Sequence, residues 1–427
     1  MTSCDVLVVG AGPAGMAAAA AAAENGCRVL MADENAAPGG QIWRGEASCR
    51  VEPRSHARPY ARLMRKLSAA GVQVLAGTHV VDQPAPGVLR VETETGCSDI
   101  RYQQLILATG AREHFLPFPG WTLPGVLGAG GLQALVKAGL PIAGKRVVLA
   151  GTGPLLLAVA ANLARHSAQI AGVFEQAQIA PLLSFAARLR RHPAKLIEGV
   201  RYRAAILGVP YRTDAWAQRA EGEPWLSRVT VRVGRSTREI ACDYLGCGFH
   251  LAPNIELPRL LGCAIERGFV RVDAAQTSSL PHVYCAGELT GIGGLEKALV
   301  EGEIAGLAAA GRPAAHLYKR RDRHVLFAQQ LDTAFALRAE LRDLATPETI
   351  VCRCEDVRRS TLENIRGWRE AKLHTRCGMG PCQGRICGPA TSFLFGWSNE
   401  SVRPPLTPAR METLAGPLEH ATAKTQP

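Results

Sequence analysis

Aromatic residues make up only 5% of this 427-residue chain, and Asp and Glu are outnumbered 37 to 49 by Lys and Arg. Long apolar runs are missing too: none reaches the roughly 18–20 residues that a helix needs to cross a bilayer, which excludes a membrane-spanning helix. The net charge of +12 would suit nucleic acid, but the cations are not interleaved with aromatics into a binding patch, which excludes that partner. No leader is expected, because Met-Thr-Ser-Cys-Asp runs straight into an apolar strand. The expected location is therefore cytoplasmic, with the inner membrane reached only through a partner complex. In that compartment the 13 cysteines do not form a disulfide framework. At 47% apolar and 20% charged residues the chain is globular, with length for about two or three domains.

What the chain does have begins at Val6. Four apolar β-formers lead into Gly10-Ala11-Gly12-Pro13-Ala14-Gly15, and good helix formers follow from Met16 to Ala23. Strand, Gly-x-Gly-x-x-Gly turn and helix form the phosphate-binding half of a dinucleotide βαβ unit. Gly10 permits the turn, Gly12 lets backbone approach a pyrophosphate, and Gly15 packs helix on strand. A second strand, Arg28–Ala32, ends at Asp33-Glu34, where a carboxylate can accept hydrogen bonds from a ribose diol. Downstream, Pro38-Gly39-Gly40-Gln41-Ile42-Trp43-Arg44 offers bare backbone, a polar edge and a ring, and is read as a flavin contact. His56–Ala70 is expected to be a helix; Val72–Val81 and Val88–Thr95 alternate as strands; Leu105–Gly110 is a buried strand whose end places Thr109 and Gly110 at the same site.

A second βαβ opens at Val147, with Gly151-Thr152-Gly153, a helix to Arg165 and a strand Ile170–Phe174 ending at Glu175. Leu156 replaces the third glycine and should push the helix off the strand and crowd a pyrophosphate. Arg188 to His192 reads as a solvated basic helix face. Asp243–His250 is expected to return the chain to the first domain. There, Val283–Cys285 runs into Gly287-Glu288 and then Gly291 to Gly294, ahead of a helix Leu295–Ala310 whose N-terminus suits an anionic group. Tyr318–Leu344 is expected to be one long helix, broken at Thr346-Pro347.

The cysteines bunch at Cys352, Cys354, Cys377, Cys382 and Cys387. Cys352 with Cys354, and Cys377 with Cys382 across glycines, form two jaws of a four-thiolate site, suited to an iron–sulfur cluster and, as the alternative, to zinc. Cys387 is left over as a buried small hydrophobe. After Phe395 the chain becomes proline-rich and reads, from about Ser401, as an extended arm, either disordered or clasping a partner.

On these motifs the chain resembles a known family over nearly its whole length. Residues 1–312 resemble a two-dinucleotide-domain flavoprotein of the pyridine-nucleotide disulfide oxidoreductase fold, and 350–390 a bacterioferritin-associated-ferredoxin-like (BFD-like) 2Fe–2S module. Gly-Gly-Gln-Ile-Trp-Arg early, with Thr-Arg-Cys-Gly-Met-Gly-Pro-Cys-Gln-Gly-Arg late, resembles the α subunits of heteromeric amine and amino-acid dehydrogenases: D-hydroxyproline dehydrogenase, opine (octopine and nopaline) dehydrogenases, hydrogen cyanide synthase and, further off, heterotetrameric sarcosine oxidase. The resemblance implies an α/β fold of two Rossmann-like dinucleotide-binding domains, one inserted in the other, plus the small iron–sulfur domain. The expected segments are 1–122 and 243–312 for the FAD-binding domain, 123–242 for the inserted one, 313–345 for a linking helix, 346–395 for the cluster domain and 396–427 for the arm. No Cys-x-x-Cys or Cys-x4-Cys follows Gly39-Gly40, which rules against dithiol chemistry there.

The same resemblance implies FAD at the first site, a 2Fe–2S cluster, an amine-oxidising FAD β subunit, a small ferredoxin-like third subunit, and a quinone or electron-transfer protein as acceptor. It leaves room for FMN at the interface with the β subunit, as well as for an adenine nucleotide (ATP or NAD) at Gly151–Gly153. The residues themselves contain no recognisable amine-oxidising constellation, so the chain reads as an electron relay, with D-hydroxyproline the leading substrate of the complex. Opine dehydrogenase and hydrogen cyanide synthase subunits are the near alternatives. Two others are a self-sufficient NAD(P)H-dependent ferredoxin-type reductase and a non-enzymatic cluster-binding module or redox sensor.

Overall fold

The computed structural model describes residues 2–44, 57–190, 192–398 and 402–416. His56, Arg191 and Ser401 of the expected segments lie outside the described residues. The chain divides into two compact units, one of Met1–Arg112, Pro253–Ala328 and Glu400–Pro427, the other of Glu113–Ala252 and Gln329–Asn399.

In the first unit, Thr2–Val9 lies between Val29–Ala32 and Gly96–Leu107, parallel to both. All of Val6 to Val9 and Val29 to Ala32 are buried, as strands covered on both faces require. On its other edge Gly96–Leu107 serves two further partners: the first half pairs antiparallel with Val88–Thr93 and the end pairs parallel with Val283–Cys285. The helix Pro13–Glu24 packs on Leu295–Ala309. The two backbones nearly touch, since a Cβ on Gly302 would sit 2.1 Å from the Ala14 carbonyl oxygen. That closeness explains the run of alanines better than helix propensity does.

The second unit holds an all-parallel sheet in the order Tyr211–Arg212, Gln169–Glu175, Arg146–Thr152, Tyr244–Phe249, Val126–Gly128. This corrects the expected return to the first domain at Asp243. Tyr244–Phe249 is buried throughout and pairs Tyr244 with Val147, because an apolar strand needs parallel neighbours on both sides. The expected long helix is corrected as well. It runs Ala315–Ala334, and a short 3-10 turn, Ala339–Asp343, follows an irregular stretch. No glycine or proline ends it; its next carbonyls are claimed by distant side chains, as described below. The cysteine segment has its own small core, in which Val351, Leu362, Trp368 and Trp397 surround Cys352, Cys377 and Cys387.

The arm does not hang free. The Leu406 N–H donates to the Val81 carbonyl at 2.9 Å, Leu406 is buried, and Arg410 N–H donates to the Glu92 carboxylate at 3.0 Å. Thr413 on the helix Met411–Ala415 is bonded to Glu92 too. The described part of the arm is thus docked on the chain's own unit. Residues 417–427 lie outside the described residues.

Candidate functional site

The first glycine turn is fixed from inside the protein at two of its three glycines. A Cβ on Gly10 would lie 2.3 Å from the Ala108 carbonyl oxygen, and one on Gly15 would lie 1.8 Å from that of Gly10. Gly12 differs. Its φ of −74° suits any residue, and a Cβ there would meet only the Gly40 Cα, at 4.0 Å. Nothing in the protein requires a glycine at that point, so the open space is what a close-lying ligand would use. Pro13 begins the helix at a position where a missing N–H costs nothing, and Ala14 follows it into the core.

Asp33, at the end of the second strand, accepts the Ala11 N–H at 2.5 Å and the Asn35 N–H at 2.8 Å. Glu34 points to solvent. Gly39 donates its N–H to the Ala11 carbonyl at 2.7 Å, which lays the Gly39-Gly40 loop over the turn. Gln41 is exposed. Trp43 is placed in the core rather than presented as a ring: it is 1% exposed, its ring lies 5.6 Å from that of Tyr60, and its indole nitrogen has no hydrogen-bond partner among the described residues. The Thr109-Gly110 turn is stapled by Asn254, which donates to the Thr109 carbonyl at 2.7 Å and to the Gly110 carbonyl at 3.0 Å.

Glu288 alters the expectation for the Leu295 helix. Its carboxylate accepts the N–H groups of Gly293 at 3.0 Å and Gly294 at 2.9 Å. The anion at that helix start is the chain's own side chain, buried enough that desolvation raises its pKa. Gly287 donates to Glu301 at 3.0 Å, and Glu301 forms a buried pair with Lys297 at 2.7 Å. Sequence reasoning missed this pair; its only signal is Lys and Glu at four-residue spacing, common on exposed helices.

At the second turn, Glu175 takes the part of Asp33, accepting the Gly153 N–H at 2.7 Å and the Thr152 hydroxyl at 3.0 Å. Burial lifts its pKa to about 7. Leu156 does not crowd the turn. It is 1% exposed in a core with Val159 and Leu132. The Phe335 carbonyl accepts from the Thr152 hydroxyl at 3.0 Å and lies 3.2 Å from His250 Nε2. The Gln176 amide donates to the Ala336 carbonyl at 3.1 Å and accepts from the Arg338 N–H at 3.2 Å. Phe335–Arg338 therefore lies across the carboxyl ends of three parallel strands, the place where open α/β sheets bind their ligands.

The cysteines meet in a different grouping from the one expected. The sulfurs of Cys352, Cys377 and Cys387 lie within 4.8 Å of one another, all buried. Cys354, which is exposed, is hydrogen-bonded to Cys382. Cys387 is thus a member of the centre and not a bystander; the signal for it was the even spacing of Cys377, Cys382 and Cys387. The thiols of Cys377 and Cys387 donate toward Cys352 and hold its pKa down at about 2, while Cys377 is pushed up to about 12. The Gly378 N–H also points at Cys352 Sγ, at 3.5 Å. An all-sulfur donor set with a backbone N–H at one sulfur fits an iron–sulfur cluster.

Comparison with known proteins gives the family and the fold. Residues 4–312 match the family model described as pyridine nucleotide-disulphide oxidoreductase. An opine oxidase subunit of Rhizobium meliloti (strain 1021) is 33% identical over 98% of this chain and 100% of that protein. Hydrogen cyanide synthase subunit HcnB of Pseudomonas aeruginosa is 31% identical over 89% of this chain and 90% of its own length. Among solved structures, L-proline dehydrogenase from P. horikoshii shares the fold, with a TM-score of 0.69 at 19% identity, covering 97% of this chain and 79% of that one.

Proposed function

Because the chain belongs to the pyridine nucleotide-disulphide oxidoreductase family, we propose that it is the electron-relay subunit of a heteromeric amino-acid dehydrogenase, with D-hydroxyproline as the leading substrate of the complex. The observation that carries this reading is the Phe335–Arg338 segment over the second nucleotide crevice. A flavoprotein that took hydride from a soluble nicotinamide would need that crevice open. With the chain's own backbone across those strand ends, this reading brings electrons in from another subunit. Relatives over nearly the full length are themselves named as subunits, which supports a heteromeric assembly.

In this reading Gly12 and Gly40 would leave space for the FAD pyrophosphate, and Asp33 holds the turn at the strand end where the adenosine ribose would be held. Cys352 and Cys387, with two of Cys354, Cys377 and Cys382, would hold the iron of a 2Fe–2S cluster. When bound, the flavin exchanges an electron pair and the cluster passes electrons singly. The chain's own work is to hold, orient and shield: Asn254 fixes Thr109-Gly110, and Trp368 lies under Gly378 and Gly384, where any Cβ would meet its ring at 2.5–2.7 Å.

The test is expression of this chain alone and with its genomic neighbours, following dye reduction with D-hydroxyproline, D-proline, sarcosine, glycine and octopine. Turnover only in the presence of a second subunit is expected. Steady turnover by the isolated chain on any of these would make it the dehydrogenase itself and overturn the relay.

A further inference from the structure

The helices Ile179–Leu189 and Pro193–Ala205 pack beside each other and contain no buried residue. Each has an inner edge held to the protein: Leu182 and Phe185 pack near Phe335, and Tyr202 packs near Ile206. The outer edges are the unusual part. Ile179, Leu183 and Ala187 follow one another at helical spacing on the first, and Ile197, Val200 and Ala204 on the second, continuing to Leu207. Leu183 is 62% exposed, Val200 60% and Leu207 85%. A surface helix normally turns a polar face outward, whereas these two expose aliphatic side chains without a cover among the described residues.

Its charge is lopsided. From Ile179 to Ala205 the sequence has six Arg and Lys (Arg188, Arg190, Arg191, Lys195, Arg201 and Arg203) against one carboxylate, Glu198. That carboxylate is already engaged by Lys195 at 3.0 Å and by the Tyr202 hydroxyl at 2.9 Å. The outward apolar residues are aliphatic, with none of the exposed Tyr or Trp that anchor most protein interfaces. Aliphatic side chains flanked by arginines whose stems can follow an apolar surface are what an interfacial membrane helix presents. Among the described residues no helix is long and apolar enough to cross a membrane, so contact of this kind would be lateral.

We propose that this helical pair docks the protein on an anionic lipid bilayer, with Ile179, Leu183, Ile197, Val200 and Leu207 entering the headgroup boundary and the arginines pairing with lipid phosphates. The proposal is independent of which amino acid is oxidised.

Flotation with vesicles tests it, using the full chain together with any subunits that co-purify. Vesicles of phosphatidylcholine alone are compared with vesicles that also contain phosphatidylglycerol. Binding to the second kind only, weakened by salt, is expected. Arg188→Gln with Arg201→Gln should lower the partition coefficient about five-fold per charge removed, and Leu183→Gln with Leu207→Gln should lower it at unchanged charge. Both variants alter exposed residues, so flavin and iron content should equal wild type and serve as the folding control. Absence of flotation with the anionic vesicles would overturn the proposal, as would equal flotation with both kinds. So would release of a co-purifying subunit by the leucine variant in gel filtration, which would assign the face to a protein.

Discussion

The Glu175 carboxylate accepts the backbone N–H of Gly153 at 2.7 Å, much as Asp33 accepts that of Ala11, one position earlier in the first turn. Both turns are built alike; what differs is the cover. Over the second, Phe335 and Ala336 supply carbonyls to Thr152 and Gln176, so the protein's own backbone lies against those strand ends.

In the relay reading, NADH or NADPH mixed with the purified protein in a stopped-flow instrument should leave the flavin oxidised on the time scale of turnover. Rapid bleaching by either would refute it. Phe335→Ala should destabilise the protein by about 3–5 kcal/mol, since the ring is buried against Phe185 at 5.6 Å; denaturant unfolding measures this.

Glu175 also makes stability depend on pH. Its pKa lies at about 7, above the ordinary 4.5, so the native state keeps a proton that the unfolded chain gives up between those values. The contribution is full below about pH 4.5 and is lost as pH rises through about 7. Urea unfolding at about pH 5 and pH 8 should show wild type losing more stability across the interval than Glu175→Gln. Equal losses in the two proteins would show that Glu175 does not titrate there.

Gly12→Val should fold and purify without flavin. The position has room for a Cβ in the protein, 4.0 Å from the nearest atom, and no backbone strain, so the substitution fills only the ligand's space. Gly15→Ala should instead fail in folding, because its Cβ would lie 1.8 Å from the Gly10 carbonyl oxygen. Full flavin in Gly12→Val would mean that the site lies elsewhere.

The purified chain should be brown, with about two irons and two labile sulfides, as the cluster stoichiometry requires. Cys387→Ser should lose the colour as completely as Cys352→Ser does, while Cys285→Ser, buried in the other unit, should keep it. Retention of full iron by Cys387→Ser would return that thiol to a packing role. Stoichiometric zinc in place of iron would remove the redox reading altogether.

Much of this protein is legible in the chain because it rests on short-range geometry. The strand before Gly10, the turn, the alanine helix and the acid at Asp33 are set by local periodicity and by one crossover length, and so are the matching elements from Arg146 to Glu175. The cysteine bunch announces a centre by spacing alone. Tertiary structure decided the rest, because burial depends on which surfaces meet. Val283-Tyr-Cys and Tyr244–Phe249 are equally apolar, yet one pairs with Gly96–Leu107 and the other with Arg146–Thr152. Glu288 could have faced solvent or a phosphate; it turns to the amides of Gly293 and Gly294, N–H groups at a helix start that have no partner within the helix. Cys387 joins Cys352 and Cys377 only because the helix it begins, Cys387–Phe395, is held near Ile350–Cys352. And the long helix ends at Ala334 without any breaking residue, since the carbonyls that follow are worth more to Thr152 and Gln176, buried donors far away in the sequence, than to another helical turn.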